Sequence, residues 1–201
     1  MRRLIVAAVT LALAAACHDA SSPTSPPPRA TVNVVRQDST YKPLLSTQGS
    51  FYAKVGQDRR VRLVYQGATP TDSGAEFLRF EVPSDGLYRK PDGTPFGPSD
   101  SILITITVVD AKKFLFDFQP AGLQFNPNDP ARLKAEYQYA NHDYDGDGVI
   151  TAADSAIQTQ LDIWKNDPPS TMWFKQGAVN FESLEELDAN VFSFSQFAIA
   201  W

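Results

Sequence analysis

The chain has 201 residues, 18 Lys and Arg against 23 Asp and Glu, a formal charge of −5, and one cysteine. That balance excludes a basic nucleic-acid-binding surface, and a lone thiol excludes an internal disulfide. The length suffices for one domain with a sizeable core.

Arg2 and Arg3 precede an apolar run from Leu4 to Leu13, and Ala14, Ala15 and Ala16 lead into Cys17. This pattern makes residues 1–16 a secretory signal, too short for a membrane-spanning helix. A cysteine directly after the small residues resembles the lipobox of bacterial lipoproteins, although Ala14 stands where leucine is commonest. The resemblance implies lipidation of Cys17, anchorage in the bacterial cell envelope and, with His18 next, sorting to the outer membrane. The competing reading is an ordinary cleaved signal with an incidental cysteine. Removing Arg2 and Arg3 takes the formal charge from −5 to −7. Residues 17–30, "CHDASSPTSPPPRA", are expected to be the lipidated cysteine and an extended Ser/Pro-rich tether. Residues 31–201 are then the folded domain.

Period-two alternation dominates that domain. It runs through Phe51, Ala53 and Val55; Val61, Leu63 and Tyr65; Leu78, Phe80 and Val82; and Phe114, Phe116 and Phe118. "ILITITVV" from Ile102 to Val109 is β-branched almost throughout. Alternation of this kind marks half-buried antiparallel strands. The punctuation is turn chemistry: "SDG" at Ser84, "PDG" at Pro91, "FGPSD" at Phe96 and "FNPNDP" at Phe125. Ala131–Tyr139, "ARLKAEYQY", contains helix formers, but nine residues of strict alternation predict a strand. Ala153, Ala156, Ile157, Leu161 and Trp164 recur at helical steps. They predict a short helix over Thr151–Lys165, capped by Thr151 with Asp154 and stopped by Asp167-Pro168-Pro169. Strands are expected to resume at Met172–Phe174, Ala178–Phe181 and Val191–Trp201. The fold class is therefore mainly β, an antiparallel β-sandwich with one inserted calcium loop and a short α-helix spanning residues 141–167.

Several segments resemble the ZU-five-type β-sandwich. They are Gly49–Gly67, Leu78–Leu87, "ILITITVVD", Phe114–Tyr137 and the closing "FSFSQFAIAW". The "F-x-P-x-G-L-x-F" run from Phe118 to Phe125 is the most telling piece. The resemblance spans roughly Gly49 to Trp201 and brings no catalytic residue with it. It implies a scaffold or interaction domain.

The densest chemical signal is "DYDGDGVITAAD", from Asp143 to Asp154. Carboxylates fall at loop positions one, three, five and twelve, with Gly148 at six. Calcium takes six to eight oxygens at about 2.3–2.6 Å, and alternate side chains of a tight turn converge on one ion. Glycine at six permits the left-handed bend. The predicted ligands are Asp143, Asp145, Asp147 and Asp154 by their side chains, Val149 by its carbonyl, and Thr151 directly or through water. Ile150 is expected to point into apolar packing. Asp at position twelve resembles the dockerin variant of the EF-hand loop, but a dockerin carries two such segments and this chain has one. The competing reading is a solvated acidic turn in which Asp154 only caps the helix.

Other groups yield little chemistry. His142 abuts the loop. Asp72-Ser73-Gly74 lacks a usable histidine. Glu182, Glu185, Glu186 and Asp188 read as a solvated face. Phe192, Phe194, Phe197 and Trp201 read as core or edge aromatics, with a carbohydrate platform as the alternative. The functional expectation is a non-enzymatic, calcium-binding, lipid-anchored surface module. Its expected partners are the membrane, through the anchor, and an envelope protein or glycan, not nucleic acid. The alternatives are a dockerin-like docking module and a metal-dependent envelope hydrolase.

Overall fold

The computed structural model describes residues 26–69, 71–167 and 169–201. The signal segment, Cys17 and the first part of the tether lie outside the described residues. In chain order the strands are β1 (Gln48–Lys54), β2 (Arg59–Gln66), β3 (Ser73–Val82), β4 (Leu87–Arg89), β5 (Ser101–Asp110), β6 (Leu115–Gln119), β7 (Gln124–Phe125) and β8 (Ala131–Glu136). Helix α1 (Ala152–Gln158) follows, then β9 (Asp162–Asn166), β10 (Trp173–Lys175), β11 (Val179–Phe181), β12 (Glu186–Val191) and β13 (Gln196–Ala200).

One sheet has the order β1-β5-β6-β13-β9-β10, the other β11-β12-β8-β3-β2, and β4 pairs with β7. All of the pairings are antiparallel. Alternation decides what each strand buries. Ile104, Ile106 and Val108 of β5 lie inside, while Leu103 and Val109 face out. Leu63 and Tyr65, Phe80 and Val82, and Phe116 and Phe118 are likewise buried. The two sheets meet through aromatic rings. Phe80 of β3 packs edge-on against Phe118 of β6 with centroids 5.3 Å apart, and Phe77 stacks on Phe114 at 5.3 Å. Such pairs add about 0.5–1.5 kcal/mol each beyond the area they bury. The fold is the expected mainly-β antiparallel sandwich.

Strand β8 realises the alternation of "ARLKAE", with Ala131, Leu133 and Ala135 buried. It ends at Glu136, and Tyr139 turns aside to stack on Tyr41. Phe77 and Leu78 are both buried, which simple alternation forbids. The register passes from Leu63↔Leu78 to Val64↔Glu76, so Phe77 is the extra residue of a β-bulge.

Three expectations need correction. The helix does not reach Lys165. It closes at Gln158, and Thr159 Oγ1 and Gln160 Nε2 both donate to the Ala156 carbonyl at 2.9 and 2.8 Å. Asp162–Asn166 is β9, paired with β13 and β10 on its two sides. Residues 162–166 therefore belong to the sheet, and the excursion from the sandwich lies between Asn141 and Leu161. Trp164 is buried in that sheet, its indole N–H donating to Ala200 O at 3.0 Å and the Arg29 guanidinium lying over its ring. Second, Glu186 and Asp188 are not merely a solvated face but the outward side of β12, whose Leu187, Ala189 and Val191 are buried. Third, Ile150 is not packed: it is 68 % exposed.

Candidate metal centre

The acidic loop rises between two fixed points. On one side Tyr137 is buried, its hydroxyl donating to Asn180 Oδ1 at 2.8 Å. On the other, α1 starts at an N-cap in which Thr151 Oγ1 accepts from Ala153 N at 3.1 Å. Tyr144, at the second position of the loop, is buried beside Trp201 with ring centroids 5.8 Å apart.

Between these points the carboxylates organise the backbone. Asp143 accepts from Gly146 N at 2.9 Å and from Gly148 N at 3.0 Å. Asp145 accepts from Asp147 N at 3.1 Å, and Asp147 from Val149 N at 2.8 Å. Gly146 and Gly148 have φ of 78° and 90°, a region that costs other residues about 1–2 kcal/mol. The result is convergence. One oxygen each from Asp143, Asp145 and Asp147 lies within 4.8 Å of the others. Oxygens on opposite sides of a calcium ion stand about 5 Å apart, so the three can hold one metal ion.

The other predicted ligands are placed differently. Asp154 is buried, and one of its oxygens accepts from Tyr144 N at 2.7 Å and Asp145 N at 3.3 Å. The other accepts from Thr151 N at 2.8 Å and from the Thr151 hydroxyl at 3.3 Å. The Thr151 N–H is the largest influence holding this carboxyl below its ordinary value, with the Asp145 and Tyr144 amides adding to it and burial opposing them. Asp154 lies outside the three-oxygen group; it ties the loop's entry to its exit and completes the capping box. Val149 is 61 % exposed. His142 Nε2 lies 2.9 Å from Glu185 Oε1, pinning the start of the loop to the segment before β12.

Sequence reasoning missed the neighbour of this loop. A cleft of about 680 Å³ opens beside it, lined by Asp143 and Asp145 together with Asn33, Arg36, Lys113, Asn141 and Trp201. Its residues come from distant stretches of chain, so no spacing announces it. Phe194 and Phe197 lie in the core, as read, and Phe192 is exposed. No family model, curated protein or solved structure matches the chain.

Proposed function

We propose that this chain is a calcium-binding β-sandwich module of the bacterial envelope, anchored through a lipid on Cys17 and used for interaction or envelope structure rather than catalysis. The observation that carries the calcium reading is the convergence of the Asp143, Asp145 and Asp147 oxygens. An all-oxygen, all-carboxylate donor set suits a hard cation, and a glycine-jointed loop suits calcium's larger, adaptable shell better than magnesium's strict octahedron. The Val149 carbonyl, Thr151 through water, and solvent supply the remaining ligands. Asp154, predicted as a ligand, is assigned here to positioning: to reach the ion it would surrender its bonds to the Tyr144, Asp145 and Thr151 amides.

A strand rather than a helix enters the loop, and one loop–helix unit is present among the described residues. Both favour a calcium loop built into a sandwich over a dockerin-like docking module. The ZU-five-type resemblance, which brings no catalytic residue, favours a scaffold over a hydrolase. Calorimetry with calcium, at up to 5 mM, tests the metal reading on the chain from residue 17 onward. Extracellular modules bind with Kd of about 10⁻⁴–10⁻³ M, and a hundredfold excess over Kd stabilises the folded state by about 2.7 kcal/mol. Asp147→Ala should abolish both the heat and the rise in melting temperature. No heat, no shift and no difference between the two proteins would leave only an acidic turn. Mass spectrometry of the native N-terminus decides the anchor: an unmodified terminus at another residue rejects it.

A further inference from the structure

The cleft beside the acidic loop has two walls of opposite character. Asp143 and Asp145 form one. Arg36 and Lys113 form the other, and they are cross-strand partners in an antiparallel bridge. The flanking bonds, Gln37 N to Lys112 O and Phe114 N to Val35 O, are both 3.0 Å, which makes Arg36 and Lys113 a non-hydrogen-bonded pair. Pairs of that kind bring their side chains closest, with Cβ atoms about 4.5–5.5 Å apart, and like charges so placed are destabilising. Lys113 has one loose partner, Asp110 at 3.7 Å. Neither cation forms an ion pair with Asp143 or Asp145 among the described residues. Two neighbouring cations that line one cleft are relieved by an anion between them.

The remaining lining narrows what that anion belongs to. Asn141 accepts from Asp143 N at 3.1 Å through Oδ1, which leaves its NH₂ to donate. Asn33 is exposed on the same lining, and Trp201 is half-buried there. Amides that donate and accept suit hydroxyl groups, and an indole supplies apolar surface for a ring. A guanidinium fork matches a carboxylate. We infer that this cleft binds a carboxylate-bearing saccharide, its carboxylate seated between Arg36, Lys113 and a divalent ion on Asp143, with its hydroxyls on Asn33 and Asn141. The inference rests on the calcium reading for the ion, while the cationic wall stands apart from it.

The test is calorimetry with trigalacturonate against neutral galactotriose, with calcium or with chelator, on wild type, Asp147→Ala and the double variant Arg36→Gln/Lys113→Gln. Calcium is first titrated alone. Asp147 does not line the cleft, so its variant removes the ion without altering the walls. The expected result is trigalacturonate binding that needs calcium, is absent with galactotriose, and weakens about tenfold or more in each variant. The double variant should still bind calcium, which also shows that it is folded. Calcium binding without trigalacturonate binding, or equal binding by wild type and the double variant, overturns the inference and leaves the calcium reading standing. No calcium binding by wild type overturns both. Glycerol phosphate displacing trigalacturonate at a lower concentration than galacturonate does would overturn the saccharide class.

Discussion

Trp164 offers the sharpest check on the packing, because its place in β9 rather than on a helix is a correction to the sequence reading. The residue is 1 % exposed. Its indole N–H meets Ala200 O at 3.0 Å, and the Arg29 guanidinium sits 4.9 Å from its centroid. Trp→Ala in a packed site costs about 3–5 kcal/mol. For about 170 folded residues at roughly 2.1 cal/mol/K each, the unfolding entropy is about 0.36 kcal/mol/K. Trp164→Ala should then lower Tm by about 8–14 °C. Trp164→Phe keeps most of the ring and removes one hydrogen bond to Ala200 O, whose ladder partner Asp162 remains, a loss of about 0.5–1.5 kcal/mol or 1–4 °C. Arg29→Ala removes one cation–π contact, about 0.5–1 kcal/mol, and should lower Tm by no more than about 3 °C. Thermal unfolding followed by circular dichroism reads all three. A Trp164→Ala shift under 3 °C, or equal shifts for Ala and Phe, would refute the strand placement and the sandwiching of the ring.

Gly148→Ala should lower stability in urea unfolding by about 1–2 kcal/mol. A Cβ there meets nothing within 4 Å, so the whole effect is the cost of a left-handed φ. Asp162 is buried, accepts from Ala178 N at 2.9 Å, and has its carboxyl pushed up mainly by burial. Its stabilising contribution is full below the ordinary carboxyl value of 3.8 and is lost as pH rises through the raised value. Asp162→Asn, which keeps the acceptor, should match wild type in urea unfolding near pH 3.5 and gain on it by pH 7; a constant difference across that range would count against the buried acid. Lys134 Nζ reaches Glu186 at 2.6 Å, Glu136 at 3.2 Å and Glu76 at 3.9 Å. Lys134→Met should cost about 2 kcal/mol in urea unfolding, since it leaves the cross-strand partners Glu136 and Glu186 facing each other, while Glu76 keeps Arg62 and Arg79.

Much of the sandwich is legible in the chain because one face of most strands is wet, and alternation survives there. Strand β9 hides for the opposite reason. Ile163 is in the core while Trp164, on the other face, is covered by Arg29, so two adjacent apolar residues break the alternation, and their spacing from Ala156 and Ile157 mimics a helix. Strand β12 is written in the chain as well: Leu187, Ala189 and Val191 alternate with Asp188 and Asn190, although the acidic residues ahead of them have the composition of a solvated face. The bulge at Phe77 needs the partner strand to be seen. At the loop, spacing brings out Asp143, Asp145 and Asp147 because ligand geometry is local. Asp154 is different, since whether its carboxylate meets an ion or the amides of Tyr144 and Asp145 depends on how the loop closes over it. The cleft depends on Arg36 meeting Lys113 across a bridge, which no local pattern encodes.

The N-terminal stretch also has a mechanical side. Arg29 and Trp173 exchange two backbone bonds, at 2.9 and 2.7 Å, on the outer strand β10. Val35 is then held by Ile199 O at 2.9 Å and itself accepts from Phe114 N at 3.0 Å. Tension applied at Pro26 therefore meets a two-bond clasp at the sheet's rim before it can reach the buried Val35. Rupture of that clasp would peel Arg29 from Trp164 and free the chain ahead of Val35 while β13 and the core beneath stay intact. A pulled molecule should yield first in a small early extension, separate from the main unfolding event, and Arg29→Pro, which removes one of the two bonds, should lower the force of that first step alone.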